Sequence, residues 1–285
     1  MTSKLTPTIE ITIYYILIGV VGLLTYNYIN SNEILRFFCA DIAMTITAFI
    51  FSVYKRNTST YDAYWSVIPF YFVCLWVCQL TPDLQWQQIL VGVVVSFWSW
   101  RLTHNWYRGW PGWHHEDWRY VDYRNKIGAN FVWMNFGGLH LFPTLIVFSS
   151  CLGLFWVYKS GAQFNNLWLV IGCVVSFIGT LFELFADNSL HKSRLKSTVP
   201  KREVLREGLW SKSRNPNYLG EILFWFGIAF CGIAASAPWW TVLGCIAMYI
   251  MFWFVSIPLK EERMMKSRAE AFAKYKNEVS KLLPF

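Results

Sequence analysis

Apolar residues along this chain come in long, unbroken runs rather than at helical or alternating spacing. Eight runs stand out, at 9–29, 34–54, 66–80, 87–106, 131–157, 167–187, 218–236 and 239–257. A helical membrane span needs about 20 consecutive apolar residues, somewhat fewer inside a bundle. The run at 66–80 is short, and the last two are parted only by Ala237-Pro238, so the count is seven or eight. None of the runs shows the dyad alternation of a transmembrane β-strand. The pattern therefore predicts an all-α fold, a polytopic transmembrane helix bundle of 7–8 spans. Beyond the last run, 261–279 interleaves Met264, Met265, Ala269, Phe272 and Tyr275 with charged residues. That spacing predicts a C-terminal amphipathic helix lying on the bundle or on the bilayer surface. No internal repeat and no Pro-, Gly- or Ser-rich linker interrupts the chain, which reads as a single integral membrane domain over 1–285.

Composition agrees with this reading. Hydrophobic residues make up 55% of the chain and charged residues 15%, with a mean hydropathy of +0.33; soluble domains carry about a quarter charged residues. The first apolar run is too long for the core of a secretory signal and lacks a small-residue cleavage site, so an uncleaved span is expected. All seven cysteines lie inside apolar runs without a C-x-x-C pair. They read as small core residues, not as a disulfide framework or a metal site.

Charge sets the orientation. All but two of the 25 Lys and Arg residues fall before the first run, after the second, at 101–126, at 188–217 or from 260 onward. Eight spans put every one of these stretches on one side; only Arg36 and Lys159 fall opposite. By the positive-inside rule both termini are expected in the cytosol, with the protein in the endoplasmic reticulum, or in the inner membrane of a bacterium. The net charge of +8 then reflects orientation and contact with anionic lipid, and needs no nucleic acid. No obligate protein partner is evident.

Ionisable residues are costly inside a bilayer, so those within or at the ends of the runs form the functional shortlist. They are Glu10, Asp41, Arg101, His104, His140, Glu183, Asp187 and Glu221. Glu10 can snorkel to the interface, and Asp41 reads as a residue paired within the bundle. The others concentrate at the cytosolic ends of the fourth, sixth and seventh runs. Arg101, His104 and Asn105 share a helix face, as do Glu183 and Asp187, and Arg194 continues that stripe. Pro216 suits a first helical turn and leaves Asn217 and Glu221 on one face, with Glu221 a turn inside the membrane. Arg108, Arg119 and Tyr218 lie alongside these in sequence. Guanidinium, carboxylate and amide groups so arranged could grip an anionic cofactor rich in hydrogen-bonding groups. Glu221 so placed requires a fixed donor, either from the cofactor or from an arginine that holds it. No G-x-G-x-x-G or G-x-x-x-x-G-K-[ST] pattern occurs, which excludes Rossmann and P-loop nucleotide binding. His114-His115 is too small a histidine cluster for a di-iron centre, and no metal is expected.

Several of these residues fall in longer motifs. Glu183-x-x-x-Asp187, Arg194, Gly208-Leu209-Trp210, the stretch Ser213-Arg214-Asn215-Pro216-Asn217-Tyr218-Leu219-Gly220-Glu221 and the terminal Leu283-Pro284-Phe285 resemble the membrane steroid reductase superfamily over 180–285. This is the 3-oxo-5-alpha-steroid 4-dehydrogenase C-terminal-domain-like group. Asn57-x-x-x-x-Asp62-x-x-Trp65 and Arg101-Leu102 followed by Glu116-Asp117-x-Arg119-Tyr120 look like its uncharacterised bacterial and protist branch, which carries the resemblance over most of the chain. Asn215 stands where the relatives have His. The Gln-Glu pair and substrate-facing Tyr of true steroid 5-alpha-reductases have no evident counterpart, Asp62 and Trp98 occupying comparable places.

The resemblance implies an NADPH-dependent reductase acting on a carbon–carbon double bond conjugated to a carbonyl, in a steroid-like or other lipophilic substrate entering from the bilayer. It further implies that Arg101, Asn105, Arg108, Arg119, Glu183, Asp187, Arg194, Asn217, Tyr218 and Glu221 hold the dinucleotide. Charge growing on the carbonyl oxygen during hydride attack needs a preorganised donor, and a carboxyl kept neutral by an apolar site can be one. Asp62, flanked by Tyr61 and Tyr64, is the candidate, with Trp65 and Trp98 bounding the substrate; a plain helix-capping role is the other reading of Asp62. Two further functions fit part of the pattern. R-x-P-x-Y-x-G followed by a paired acid, here Glu261-Glu262, also occurs in S-adenosylmethionine-dependent membrane methyltransferases of the isoprenylcysteine and phospholipid type. A lipid-binding membrane protein that kept the fold without the chemistry is the third.

Overall fold

A computed structural model describes residues 4–81, 83–159, 161–196 and 203–283. The described residues are almost wholly helical. Seven stretches are long and apolar enough to cross a membrane: Leu5–Tyr28, Glu33–Lys55, Thr58–Leu80, Trp118–Tyr158, Asn166–Lys196, Pro216–Ala234 and Trp239–Ser267. The polytopic helical bundle read from the apolar runs is what the chain forms, and it is an integral membrane protein. The fourth run also forms a helix, Trp86–Gly109. It is long enough to cross, but Gln87, Gln88, Arg101, His104 and Asn105 make it more polar than the rest.

Contacts divide the chain into two compact units, Met1–Leu75 with Leu102–Phe148, and Trp76–Arg101 with Ser149–Phe285. In the first, α1 (Leu5–Tyr28) and α2 (Glu33–Lys55) pack closely. Gly22 sits where a Cβ would come within 2.5 Å of Met44 Sδ. Asn32 caps α2 by accepting from Leu35 N (3.0 Å), with Glu33 in the first turn favouring the helix dipole. Arg56 ends α2 in the left-handed region (φ 51°), and a buried 3-10 turn, Thr58–Tyr61, leads into α3 (Tyr64–Leu80). The rest of this unit includes α5 (Trp118–Ile127), α6 (Phe131–Met134) and a π-helical turn over Asn135–Leu141. α4 (Trp86–Gly109) and α7 (Phe142–Tyr158) each contribute to both units.

The second unit is built around α8 (Asn166–Lys196) and α9 (Pro216–Ala234). Small residues let these backbones touch. A Cβ on Gly220 would lie 2.5 Å from Glu183 Cγ and from Gly179 O, and one on Gly227 would lie 2.2 Å from Ser176 Oγ. In lipid, where apolar surface gains nothing by leaving the solvent, such close packing is what holds helices together. Pro216 stands in the first turn of α9, as its fixed φ favours. α10 (Leu243–Met251) passes through a π turn, Phe252–Ser256, into α11 (Ile257–Ser267).

Two boundaries differ from the apolar pattern. α8 continues to Lys196, well past the end of its apolar run at 187, so the helical stripe read from Glu183 and Asp187 does run on through Arg194. The expected single amphipathic helix at 261–279 is broken at Arg268 (φ −149°, ψ 48°) into α11 and α12 (Ala269–Glu278). The break lets Phe272 and Tyr275 fold back onto Val204, with Met264 and Val279 packed against them. Tyr275 OH then donates to Trp210 O (2.5 Å); burial pushes this hydroxyl up to about 12, so it stays a donor. Arg214 and Asn215 anchor the same segment. The Arg214 side chain donates to Glu261 Oε1 (2.9 Å), Lys276 O (3.0 Å) and Val279 O (2.5 Å), and Asn215 Nδ2 donates to Lys281 O (3.0 Å). Pro284 and Phe285 of the terminal motif lie outside the described residues.

Candidate functional site

In the second unit, the carboxylates at i and i+4 on α8 converge on one cation. Arg101 is buried (2% exposed). Its Nη1 donates to Asp187 Oδ2 (2.8 Å) and its Nη2 to Glu183 Oε2. Taking one partner on each terminal nitrogen fixes the plane of the guanidinium. Asn217, in the first turn of α9, reaches Asp187 Oδ1 with its amide (3.4 Å). The close approach at Gly179 and Gly220 brings the Glu221 carboxyl beside that of Glu183.

Glu221 is held from two sides. Trp98 Nε1 donates to Oε2 (3.1 Å) and Trp225 Nε1 to Oε1 (3.0 Å). Trp98, itself fully buried, stacks on Phe224 at 4.2 Å between ring centroids. The fixed donors that Glu221 requires are thus indoles of the chain itself.

Lys260 borders the same cluster. Its ammonium donates to Asn215 Oδ1 (2.9 Å) and Arg214 O (3.2 Å). It lies over the Trp210 and Tyr218 rings at 4.7 and 5.2 Å and within electrostatic range of Asp187. Arg194, by contrast, is exposed near the end of α8.

Three buried polar atoms of this cluster have no hydrogen-bond partner: Arg101 Nε, Glu183 Oε1 and Asn217 Oδ1. Leaving such atoms dry costs about 1–3 kcal/mol each. The Arg101 atom is a donor and the Asn217 atom an acceptor, while Glu183 has the Glu221 carboxyl beside it. A primary carboxamide, with two N–H donors and one carbonyl acceptor, has the complementary set. The cluster therefore fits the carboxamide of a nicotinamide ring on its own chemistry.

The remaining candidates belong to the first unit. Asn105 and Arg108 bond to each other, Arg108 Nε and Nη2 donating to Asn105 Oδ1 (3.0 and 2.7 Å). Asp62 accepts from Tyr120 OH and lies 3.8 Å from Arg119 Nη2, while Arg119 Nε pairs with Asp117 (2.7 Å). The motifs around these residues clasp one another. Thr58 N donates to Glu116 Oε1 (2.8 Å), Asp117 N to Ser59 Oγ (2.8 Å), and Asn57 Nδ2 to Trp113 O and His115 O (3.1 and 2.8 Å). Arg124 holds Glu116 from the other side (2.5 Å). The N-x-x-x-x-D turn and the E-D-x-R-Y segment form one brace, in which one Asp62 oxygen accepts from Tyr120. Tyr64 lies deeper, its hydroxyl donating to Asp41 Oδ1 (2.6 Å).

Of the ten residues expected to hold the cofactor, the structure brings Arg101, Glu183, Asp187, Asn217, Tyr218 and Glu221 together; Asn105, Arg108 and Arg119 belong to the first unit, and Arg194 is exposed. Sequence reasoning missed Lys260 and Trp225 as members. Lys260 read as one more cytosolic charge and Trp225 as one more apolar residue; the i, i+4 spacing of Glu221 and Trp225 was the signal available.

Residues 48–279 match a family model described as "Protein of unknown function (DUF1295)". An uncharacterised protein of Schizosaccharomyces pombe is 23% identical over 283 residues, covering 90% of this chain and 81% of the yeast protein. No solved structure matches.

Proposed function

The chain belongs to the DUF1295 family, and from that premise and the buried cluster around Arg101 we propose that it is a membrane reductase. It uses NADPH to reduce a carbon–carbon double bond conjugated to a carbonyl in a lipophilic substrate drawn from the bilayer. Membership supports the reading, since this is a family of membrane proteins related to steroid reductases. The observation that carries it is the set of unpartnered atoms on Arg101, Glu183 and Asn217.

NADPH, when bound, supplies the hydride. Arg101, Glu183 and Asn217 would take the nicotinamide carboxamide and so fix the ring. Glu183 and Asp187 hold the Arg101 guanidinium in place before any ligand arrives, so no reorganisation is needed on binding. Trp98, Phe224 and Trp225 keep the floor of the cluster dry around Glu221. Lys260 supplies a cation at its border for the phosphates.

A second reading has one observation in its favour. Glu183, Asp187 and Glu221 outnumber Arg101 and Lys260, and a carboxylate excess suits the cationic sulfonium and ammonium of S-adenosylmethionine. Glu261 weakens it, being already engaged by Arg214 (2.9 Å) and Lys276 (3.6 Å).

Thermal shift of the detergent-solubilised protein separates the readings. A rise in Tm with NADPH, a smaller one with NADH, which lacks the extra phosphate, and a smaller one still with the adenosine bisphosphate half, which lacks the carboxamide, is the expected result. A rise with S-adenosylmethionine and none with NADPH would overturn the reductase.

A further inference from the structure

A second polar cluster lies within the first unit and shares no residue with the Arg101 cluster. It begins at the π turn Asn135–Leu141, inside the membrane-spanning stretch Trp118–Tyr158. π turns inside α-helices are frequent at functional sites. This one carries His140, fully buried (0% exposed). Its Nδ1 lies 2.8 Å from Asn135 O. A carbonyl can only accept, so Nδ1 carries the proton. The ring, buried with no ion-pair partner, is neutral. Nε2 is then a bare lone pair, and no hydrogen-bond donor reaches it.

The hydroxyls around it have a polarity that can be worked out. Tyr64 OH gives its one proton to Asp41 Oδ1 (2.6 Å). Thr45 gives its proton to Tyr64 OH (3.1 Å). Thr144, 2.8 Å from Thr45, must therefore donate to it, and Tyr61, 2.6 Å from Thr144, must donate to Thr144. Every proton in the chain runs toward Asp41. The end nearest His140 is Tyr61, whose ring lies 4.5 Å from the imidazole, and its oxygen has only lone pairs left. His140 and Tyr61 thus both present acceptors, in a segment whose outer face is apolar: Val132, Trp133, Phe142 and Leu145 are exposed.

We propose that the first unit holds a binding site for a lipid alcohol, whose hydroxyl donates to His140 Nε2 while its apolar body remains in the bilayer. A ketone or an ether offers no proton and leaves His140 Nε2 unpaired, which a site of this kind rejects strongly. The site is read from the polarity of the network and stands independently of the cofactor cluster.

The test needs neither cofactor nor turnover. The full chain in detergent is titrated with cholesterol, cholesteryl methyl ether, cholestanone, hexadecanol and hexadecyl methyl ether, reading Tm. An alcohol of either scaffold is expected to raise Tm by a few degrees, with its ether and the ketone inert. His140→Phe removes both ring nitrogens, and His140→Asn keeps only the position that bonds Asn135; both should abolish the shift. Should His140→Phe fail to fold, His140→Asn decides. The absence of a shift with either alcohol, equal shifts from alcohols and ethers, or a shift surviving the variant that folds would overturn the proposal. Failure of NADPH binding would leave it standing, and failure here would leave the reductase standing.

Discussion

At the scale of single residues, Glu221 and Asn217 share a face of α9 but answer to different partners. Both Glu221 oxygens accept from indoles (3.1 and 3.0 Å), whereas Asn217 Oδ1 is buried without a donor. Glu221→Gln keeps one acceptor and turns an amide N–H₂ toward one of the two indoles. That indole loses its partner inside an apolar pocket, at about 1–3 kcal/mol, so Tm should fall while NADPH affinity changes little. Asn217→Ala should do the reverse, sparing Tm and weakening NADPH at least tenfold. Melting and cofactor titration on the same two preparations check both; an Asn217→Ala protein with wild-type affinity would place the carboxamide elsewhere. The sequence signalled that Glu221 needed fixed donors, and spacing on α8 and α9 grouped Glu183 with Asp187 and Asn217 with Glu221. It could not name Trp98 as a donor, because that contact joins residues 123 positions apart and depends on how the helices carrying them pack. The same limit applies to Asp62: its flanking tyrosines suggested an apolar pocket, but only the folded brace brings Tyr120 and Arg119 to it.

At the scale of elements, the pairing of α8 with α9 sets the geometry of the Arg101 cluster. Gly172, Ser176 and Gly179 on one helix meet Gly220 and Gly227 on the other. These small residues lay inside apolar runs and read as ordinary span composition; their register against one another is a property of two helices together, which no single run encodes. Gly227→Ala would press a methyl within 2.2 Å of Ser176 Oγ and 2.5 Å of Gly172 O. Backbone carbonyls cannot step aside, so the helices must separate, with a cost of about 1–3 kcal/mol or more. The expected result is a lowered Tm and, since Glu183 and Glu221 move apart, a loss of NADPH binding. Gly109→Ala in α4, where a Cβ meets nothing within 4 Å, is the control and should leave both unchanged. Equal behaviour of the two variants would mean that the packing of α8 on α9 does not position the cluster. Helix ends were legible only in part. Pro216 signalled the start of α9 correctly, but α8 runs past its apolar stretch because polar residues continue a helix wherever propensity and the i, i+4 pairs allow.

At the scale of the whole molecule, the orientation turns on α4. Seven other stretches meet the length and apolarity of a membrane span, and an odd number of crossings would put the termini on opposite sides. The basic stretches would then divide between the two faces, against the positive-inside rule. A crossing α4 restores an even count and gathers all but two of the 25 Lys and Arg on the side of Lys4. Its 24 residues span about 36 Å at 1.5 Å per residue, more than the roughly 30 Å hydrocarbon core. Its polar side chains are also provided for, Gln88 donating to Val157 O (2.9 Å) and Arg101 lying between Glu183 and Asp187. We therefore expect α4 to cross the bilayer. The measurement is labelling by a membrane-impermeant maleimide in sealed vesicles, on a background without the native cysteines, at Asp83→Cys before α4 and His115→Cys after it. The two sites should react from opposite compartments, with His115→Cys sharing the side of a cysteine introduced at Lys192 in the basic end of α8. Labelling of both positions from one compartment would make α4 a re-entrant helix, place the 101–126 charges opposite the N-terminus, and remove the positive-inside argument for a cytosolic cofactor site.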